Sequence, residues 1–416
     1  RRVLPLALLL SLAFYLLTLP NDGDLPPGKP PEIVFAEPRV LVPKNTIAED
    51  SSQITTIRES LSRGVPLTLS LQDHPSQSFL FRSRRSLADN FGIRLGLADS
   101  LELTPQVFEG LPLNPGSAGT IASLVLAGNS LAAVLRQVDG TTTYLRTNPT
   151  TGAWEAQVES PNDIQALCEA DINTGTYKMS SDDPLADGEA FWEDAISAQI
   201  APERAGLTGI DPATNQLDKY IDPIARATRY DASLKDAMLL LVLDKQATGS
   251  DSVSNLTSKA SIHLATVSNV AAAYENQLGI RLLIQEMIMI PNAGNYIDIP
   301  ADGDDAISDF RTWMQRNRLN STYRWSVAMK FGSGLSGTTL GVAFVDAVRN
   351  NSAVGICRAS ARWDVLAHEM GHNLGSNHSS GGLMNSTTTN NHNRSFFTDV
   401  SPGETSATDI SDYARR

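Results

Sequence analysis

The chain has 416 residues, of which 41% are hydrophobic and 19% are charged, and its net charge is −13. This length exceeds one typical domain, and the apolar content is sufficient for sizeable buried cores. The acidic balance argues against a nucleic-acid partner or an anionic membrane partner, because phosphate binding needs clustered lysines and arginines.

Two arginines precede an apolar run from Val3 to Pro20. Basic residues before a short apolar segment are typical of a secretory signal peptide, so residues 1–20 are predicted to be a signal peptide and the protein to be secreted. The run is also about long enough to span a bilayer, which leaves an uncleaved membrane anchor as the alternative. A membrane partner is expected only in that second case.

The next two segments differ in composition and pattern. Residues 21–60 contain Pro26-Pro27 and Pro30-Pro31 and are predicted to be a proline-rich linker. Residues 61–228 are predicted to be a β-rich segment followed by a connecting segment, because apolar residues alternate with period two. Turn residues separate the later strands, as in a meander. The predicted strands are Leu67–Leu71, Ser78–Phe81, Gly119–Leu126, Leu131–Leu135 and Thr141–Leu145.

Two basic clusters bear on processing. The run Arg82-Ser83-Arg84-Arg85 resembles a dibasic cleavage site, but it lies within the β-rich segment, so a solvated surface cluster is the favoured interpretation. A polar stretch follows, with one predicted helix from Ala190 to Ile200. Arg226 to Arg229 then precede a strongly ordered pattern, and we place the boundary between the two parts of the chain there.

Residues 229–416 show alternating helical and strand patterns, which predict an α/β (α+β) domain built on a mixed, twisted sheet. The long helix carries Ile262, Ala265, Val270 and Tyr274 as candidate inward residues. The predicted strands are Ala237–Leu243, Ile280–Ile290, Trp325–Phe331 and Gly341–Val345, and the predicted helices are Val253–Leu278, Asp304–Arg316 and Arg362–Asn373.

The last of these helices begins the most informative stretch of the chain, which runs from His368 to His378 and holds three of the six histidines. His368 and His372 are four residues apart, so both face the same side of a helix and can reach one metal ion at roughly 2.0–2.1 Å. Gly375 can adopt a positive φ that ends the helix and turns the chain back towards His378. Three protein ligands with an open fourth position are typical of a catalytic zinc ion.

Glu369 points about 100° away from its neighbouring histidine around the helix, so it is placed to hold a water rather than to be a third helical ligand. The alternative is an ordinary helix with polar residues near its end. The added Gly375 and His378, and the methionine Met384 that follows, make this alternative the weaker one.

His368, Glu369, His372, Gly375, His378 and Met384 resemble the motif and Met-turn of the metzincin zinc metalloproteases. Asn373-Leu374 within the motif resembles the reprolysin (adamalysin or ADAM-like) branch. The resemblance implies a metzincin catalytic domain over residues 229–416, preceded by a β-rich prodomain. One difference is Ser379, which stands where that branch usually has an acid.

The resemblance implies a secreted zinc endopeptidase, made as a latent proenzyme, that hydrolyses protein or peptide substrates with a zinc-bound water activated by Glu369. One catalytic zinc ion is expected. Substrate is expected to pair with an exposed edge strand within Ser336–Phe344. A zinc-containing binding or adhesion module without activity and a membrane-anchored sheddase-like protease are the alternatives; retention of Glu369 argues against the first.

Cys168 is a possible cysteine switch, since in related proenzymes a prodomain thiolate fills the open zinc position. A disulfide with Cys357 and an inert buried thiol remain the other possibilities. Calcium is not supported, because the acids between Asp298 and Asp305 do not have EF-hand spacing and are better explained as helix capping.

Overall fold

The computed structural model describes residues 40–41, 52–64, 67–69, 77–113, 121–137, 141–151, 154–159, 167–168, 235–292, 296, 299, 306–317, 319, 325–335, 339–345, 347–348, 353–359, 362–378 and 383–384. Six of the predictions lie wholly or mostly outside these residues. They are the signal peptide at 1–20, the linker at 21–60, the helix at 190–200, the boundary at 226–229, the acidic run at 298–305 and Ser379.

A nine-stranded sheet forms the centre of the fold. In chain order its strands are β1 (Val40–Leu41), β4 (Leu87–Leu95), β5 (Asp99–Leu101), β11 (Leu167–Cys168), β12 (Lys235–Leu243), β13 (Ile280–Met289), β14 (Val327–Gly332), β15 (Thr339–Ala343) and β16 (Val354–Arg358). Their spatial order is β1-β5-β4-β13-β12-β14-β16-β15-β11. The strands from β4 to β16 in this order are parallel, and β15 runs antiparallel to β16.

Strand β12 is buried on both faces, as expected for the middle of a largely parallel sheet. Leu239 and Leu241 pack into one core, whereas Leu240 and Val242 pack into another. Successive side chains point to opposite faces of a strand, so an unbroken apolar run serves both cores. The short helix α2 (Lys245–Thr248) follows β12 in the chain. Helix α4 (Ala306–Arg316) covers the face of the sheet that carries Leu240 and Val242.

Helix α3 (Val253–Leu278) covers the first face. It begins at the capping residue Ser252 and ends at Gly279, whose φ is 68°. Its inward residues include Ala265, Val270 and Tyr274, all fully buried, and Ile262 is partly buried against the same core. The sequence therefore predicts both the bounds and the inward side of this helix correctly.

A second, antiparallel sheet lies on the other side of α3. Its strands are β2 (Leu67–Leu69), β3 (Gln77–Ser83), β6 (Gln106–Pro112), β7 (Ile121–Ala127), β8 (Ser130–Arg136), β9 (Thr142–Thr147) and β10 (Trp154–Glu159). Their spatial order is β10-β9-β8-β7-β6-β3-β2. We call this seven-stranded sheet the meander sheet, and helix α1 (Ser52–Arg63) packs on its outer face through Ile54, Ile57 and Leu61.

The mixed α/β class is confirmed, and the structure corrects three finer predictions. Helix α1 crosses the linker boundary predicted at residue 60. Arg84 is not a solvated surface residue, because its side chain is 8% exposed and pairs with Glu109 and Glu275. The predicted free edge at Ser336–Phe344 is covered, because β11 pairs with β15. Among the described residues, no helix is both long and apolar enough to span a membrane.

Candidate metal centre

Helix α5 (Trp363–Asn373) lies against the central sheet and α3, and every one of its residues is buried. It presents His368 and His372 one turn apart on one side. From α3, the hydroxyl of Tyr274 donates to the carbonyl of Ala367 at 2.8 Å. Burial, followed by the nearby charge of Glu369, raises the pKa of Tyr274 well above 10.0, so this hydroxyl keeps its proton and remains a donor.

The chain reverses directly after α5. Gly375 has a φ of 88°, which only glycine adopts readily. The N–H of Gly375 donates to the carbonyl of His372 at 2.9 Å, and the N–H of Ser376 donates to that of Gly371 at 3.0 Å. These bonds satisfy carbonyls at the helix end and fix the direction in which the chain leaves towards His378.

The structure brings the three histidines of the motif together. The Nε2 atoms of His368 and His372 are 3.0 Å apart, and that of His378 is 3.1 Å from each of them. On the outer side, His368 Nδ1 lies 2.6 Å from the carbonyl oxygen of Leu383, and His372 Nδ1 lies 2.7 Å from that of Ser376. A carbonyl oxygen only accepts, so each of these Nδ1 atoms carries the proton.

With their protons on Nδ1, His368 and His372 direct Nε2 lone pairs at the same point. Converging lone pairs repel unless a cation lies between them, and neutral imidazole is a good zinc ligand. Two ligand atoms bound tetrahedrally at 2.0–2.1 Å would be roughly 3.3 Å apart, close to the separations of 3.0 and 3.1 Å found here. The residues present therefore fit a zinc ion held by His368, His372 and His378.

Glu369 lies beside the histidines and is 1% exposed. Its side chain lies against β15 at Gly341, where an added Cβ would be 2.6 Å from Cγ and 2.7 Å from the carboxyl carbon. No side chain fits in that space, so the absence of a side chain at position 341 makes room for the carboxylate. Sequence reasoning missed Gly341, although a glycine inside a strand is a known sign of close approach.

Two further residues, Asn373 and Met384, lie near the end of α5. The side-chain amide of Asn373 donates to the carbonyls of Phe344 and Val354, each at 3.2 Å. The sequence identifies Asn373 only as part of the motif, because its link to two strands depends on long-range packing. Met384 is fully buried in the same core as Met370 and Leu374, next to Leu383, whose carbonyl faces His368.

The two cysteines lie on either side of Gly341. Cys168 in β11 is opposite Gly341, and Gly341 is opposite Cys357 in β16. Two strand spacings separate the cysteine backbones by roughly 9–10 Å, which is beyond the reach of a disulfide. Burial, followed by the charges of Glu369 and Asp364, raises the pKa of Cys357 well above 9.0, so this thiol is protonated and unreactive.

Comparison with known protein families gives a match that covers the part of the chain that holds the three histidines. Residues 233–405 match the Reprolysin_5 model of metallo-peptidase family M12, which indicates a metallopeptidase domain in that part of the chain. This match includes all three histidines, Glu369 and Met384. No curated protein matches the sequence significantly.

Two solved structures show weaker likeness. A chain from the structure of a chaperone-substrate complex is 18% identical with a TM-score of 0.33; 44% of this chain and 34% of that one are covered. Metalloproteinase-II from Bacteroides fragilis is 11% identical with a TM-score of 0.47, covering 91% of this chain and 99% of the other. Both TM-scores are too low to establish a shared fold, so neither likeness bears on function.

Proposed function

We propose that the protein is a secreted, zinc-dependent endopeptidase of the reprolysin branch of the metzincins, made as a latent proenzyme. The observation that carries the proposal is the approach of three histidine Nε2 atoms to within 3.0–3.1 Å of one another, next to the buried Glu369. The match of residues 233–405 to metallo-peptidase family M12 supports protein or peptide substrates.

Glu369 performs the proton transfers of the reaction. His368, His372 and His378 would hold a zinc ion, which when bound would act as a Lewis acid that lowers the pKa of water to about 7 and polarises the scissile carbonyl. Glu369 orients the attacking water and accepts its proton, and it then donates that proton to the leaving amine. Its fixed position against Gly341 keeps the carboxylate oriented before substrate arrives.

Strand β15 is the proposed binding strand for the substrate. An extended peptide that pairs with it gains main-chain hydrogen bonds and lies beside Glu369, with little demand on its sequence. In the described structure, β11 already pairs with β15 at Thr339 and Gly341. Substrate therefore binds only after this segment of the chain has left.

The same pairing supports the proposed latency. Cys168 is paired opposite Gly341, the residue that contacts Glu369, so the backbone of the proposed cysteine switch lies next to the site. We propose that in the latent protein the thiolate of Cys168 would bind a zinc ion held by His368, His372 and His378, as thiolates bind zinc well.

Incubation of the purified, matured protein with a denatured protein, followed by sequencing of the new N-termini, tests the proposal. We expect cleavage at internal bonds, its loss with a zinc chelator and its return on addition of zinc. Cleavage that continues undiminished after the metal has been removed would contradict the proposed function.

A further inference from the structure

The N-terminal and C-terminal halves of the chain build one sheet. Strand β4 pairs in parallel with β13, from Gly92 opposite Glu286 to Leu95 opposite Met289. Beside this pairing, Arg94 forms an ion pair with Glu286. Strands β5 and β1 continue the sheet beyond β4. If the N-terminal half left, β13 would become an open edge whose N–H and C=O groups had lost their partners.

A buried ion pair joins the meander sheet to α3. The guanidinium of Arg84 lies 2.6 Å from the carboxylate of Glu109 in its own half and 2.5 Å from that of Glu275 in the other half. Because the Arg84 side chain is only 8% exposed, loss of Glu275 would leave a charge in the interior with one partner fewer. A single hydrophobic core continues across this boundary, from Val125 and Val134 in the meander sheet to Val270 in α3.

The meander sheet also holds the start of the active-site helix. The first N–H groups of a helix need partners outside it, and the side chain of the N-cap residue Arg362 turns instead to Asp364. The N–H of Trp363 donates to the hydroxyl of Tyr144 at 3.2 Å, so a residue of the meander sheet caps α5. The indole N–H of Trp363 donates to the hydroxyl of Thr142 at 3.1 Å.

Two charged contacts lie at Trp363 and at the residue before it. The guanidinium of Arg136 lies 4.1 Å from the centre of the Trp363 ring. Arg362 lies 3.8 Å from the carboxylate of Glu159 at the end of β10. Trp363 is 2% exposed and Arg136 is 2% exposed, so these contacts are shielded from water. They fix the end of α5 that leads, five residues later, to His368.

From these contacts we propose that residues 77–159 are a permanent part of the mature protein and stay bound to the C-terminal part after the chain between them is cut. Maturation on this account removes only β11 from the edge of β15. Separation of the two parts would break the pairing of β4 with β13, the shared hydrophobic core and the ion pair of Arg84 with Glu275. Because folded proteins are only marginally stable, the loss of all three would unfold the C-terminal part. The prediction on activity rests on the proposed function, whereas the prediction on association does not.

The association is tested in the full chain with a recognition sequence for a specific protease inserted between Glu169 and Ser233. The Glu369→Ala background prevents self-digestion. After cutting, we expect the two fragments to co-elute in size-exclusion chromatography in native buffer and to separate only in denaturant, with the uncut chain as the control. An N-terminal fragment that elutes separately in native buffer would overturn the proposal, whatever the catalytic activity of the protein.

Two neighbouring threonines of β9 provide a matched pair of variants. Thr142 accepts the bond from Trp363, whereas the Thr143 hydroxyl is buried without a hydrogen-bond partner among the described residues. In the cut protein, Thr142→Val should lower the urea midpoint at which the fragments separate by about 0.5 M. Thr143→Val should not lower this midpoint, because it removes a hydroxyl that has no hydrogen bond to lose. Equal midpoints for the two variants would show that the contact with Trp363 does not hold the halves together.

A second insertion, between residues 160 and 166, allows β11 to be cut out as a peptide in the chain that retains Glu369. We expect peptidase activity in the fraction that contains both large fragments and one zinc ion per complex. Activity found only in fractions that have lost residues 77–159 would overturn the proposal. Absence of activity in every fraction, with the fragments still associated, would count against the proposed function and not against the permanent association.

Discussion

At the scale of single residues, the candidate metal centre needs both the carboxylate of Glu369 and a glycine, with no side chain, at position 341. The Glu369 carboxylate occupies the volume that any side chain on Gly341 would need. Fixed placement of a general base against its substrate accounts for a large part of catalysis, and small displacements are costly. A substitution at Gly341 therefore tests the proposed role of Glu369 while leaving Glu369 and the three histidines unchanged.

Gly341→Ala should therefore reduce activity while leaving the metal in place. The new methyl group would meet Glu369 Cγ at 2.6 Å and its carboxyl carbon at 2.7 Å, so the carboxylate must move. We expect kcat/KM to fall about 100-fold, with about one zinc ion per chain. Gly92→Ala is the control, because a Cβ there meets no atom within 4 Å among the described residues. Unchanged kcat/KM in Gly341→Ala would show that the contact with Glu369 does not position it.

His263 should make the stability of the fold depend on pH. It lies in α3 with its ring centre 4.6 Å from that of Phe331, and burial, followed by the charge of Lys259, lowers its pKa from 6.5 to about 3. Between these two values the unfolded chain binds a proton that the folded chain does not. This residue's contribution is thus complete above pH 6.5 and is lost as the pH falls towards 3.

Comparison of wild type with His263→Gln isolates this effect from the titration of other groups. On going from pH 7.5 to pH 5.0, the wild type should lose about 2 kcal/mol more unfolding free energy than the variant. Urea unfolding curves at the two pH values measure the difference. Parallel losses in the two proteins would mean that His263 is not held neutral in the folded state.

At the scale of elements, the sequence predicts well what depends on local signals. Helix α3 has the bounds expected from its cap at Ser252 and its left-handed end at Gly279. The spacing of His368, His372 and His378 likewise predicts that the three side chains come together, as they do in the structure. These signals lie within a few residues of what they specify.

Other features could not be predicted, because they depend on residues far apart in the chain. Nothing near β4 indicates that it pairs with β13, which follows it by almost two hundred residues. The capping of α5 by Tyr144 and the burial of Arg84 are of the same kind. The prediction that β15 has a free edge is wrong, because β11 pairs with it. This pairing could not be predicted, since a two-residue strand is too short to leave a pattern in the sequence.

Strand β11 makes a specific prediction for Cys168. In the uncut chain, Cys168→Ser should weaken the hold of β11 on the site, because a serine hydroxyl is a much weaker zinc ligand than a thiolate. Strand β11 should then leave β15 more readily, and peptidase activity should rise. Titration of the denatured, unreduced wild type should find two free thiols, since the strand register separates Cys168 from Cys357. Unchanged latency in the serine variant would show that Cys168 is not a cysteine switch. Detection of no free thiols would indicate a disulfide and contradict the strand register.

At the scale of the whole molecule, the two sheets, with α3 between them, share a continuous core that extends from the meander sheet to Met384. The boundary predicted at residue 228 remains a prediction about processing, but the core does not divide there. The sequence identifies the chemistry of one short stretch, whereas the support of that stretch by the N-terminal half is a property of the complete fold.

The proposed function depends most on three histidines that hold a zinc ion and on Glu369, which orients the attacking water and accepts its proton. The variant Glu369→Ala tests this division of roles most directly. Zinc content and hydrolysis of a denatured protein should be measured together on the matured wild type, on Glu369→Ala and on His372→Ala. We predict about one zinc ion per chain in the first two proteins, much less in the third, and hydrolysis in the wild type alone. Wild-type hydrolysis by Glu369→Ala, or full zinc content in His372→Ala, would contradict this division of roles.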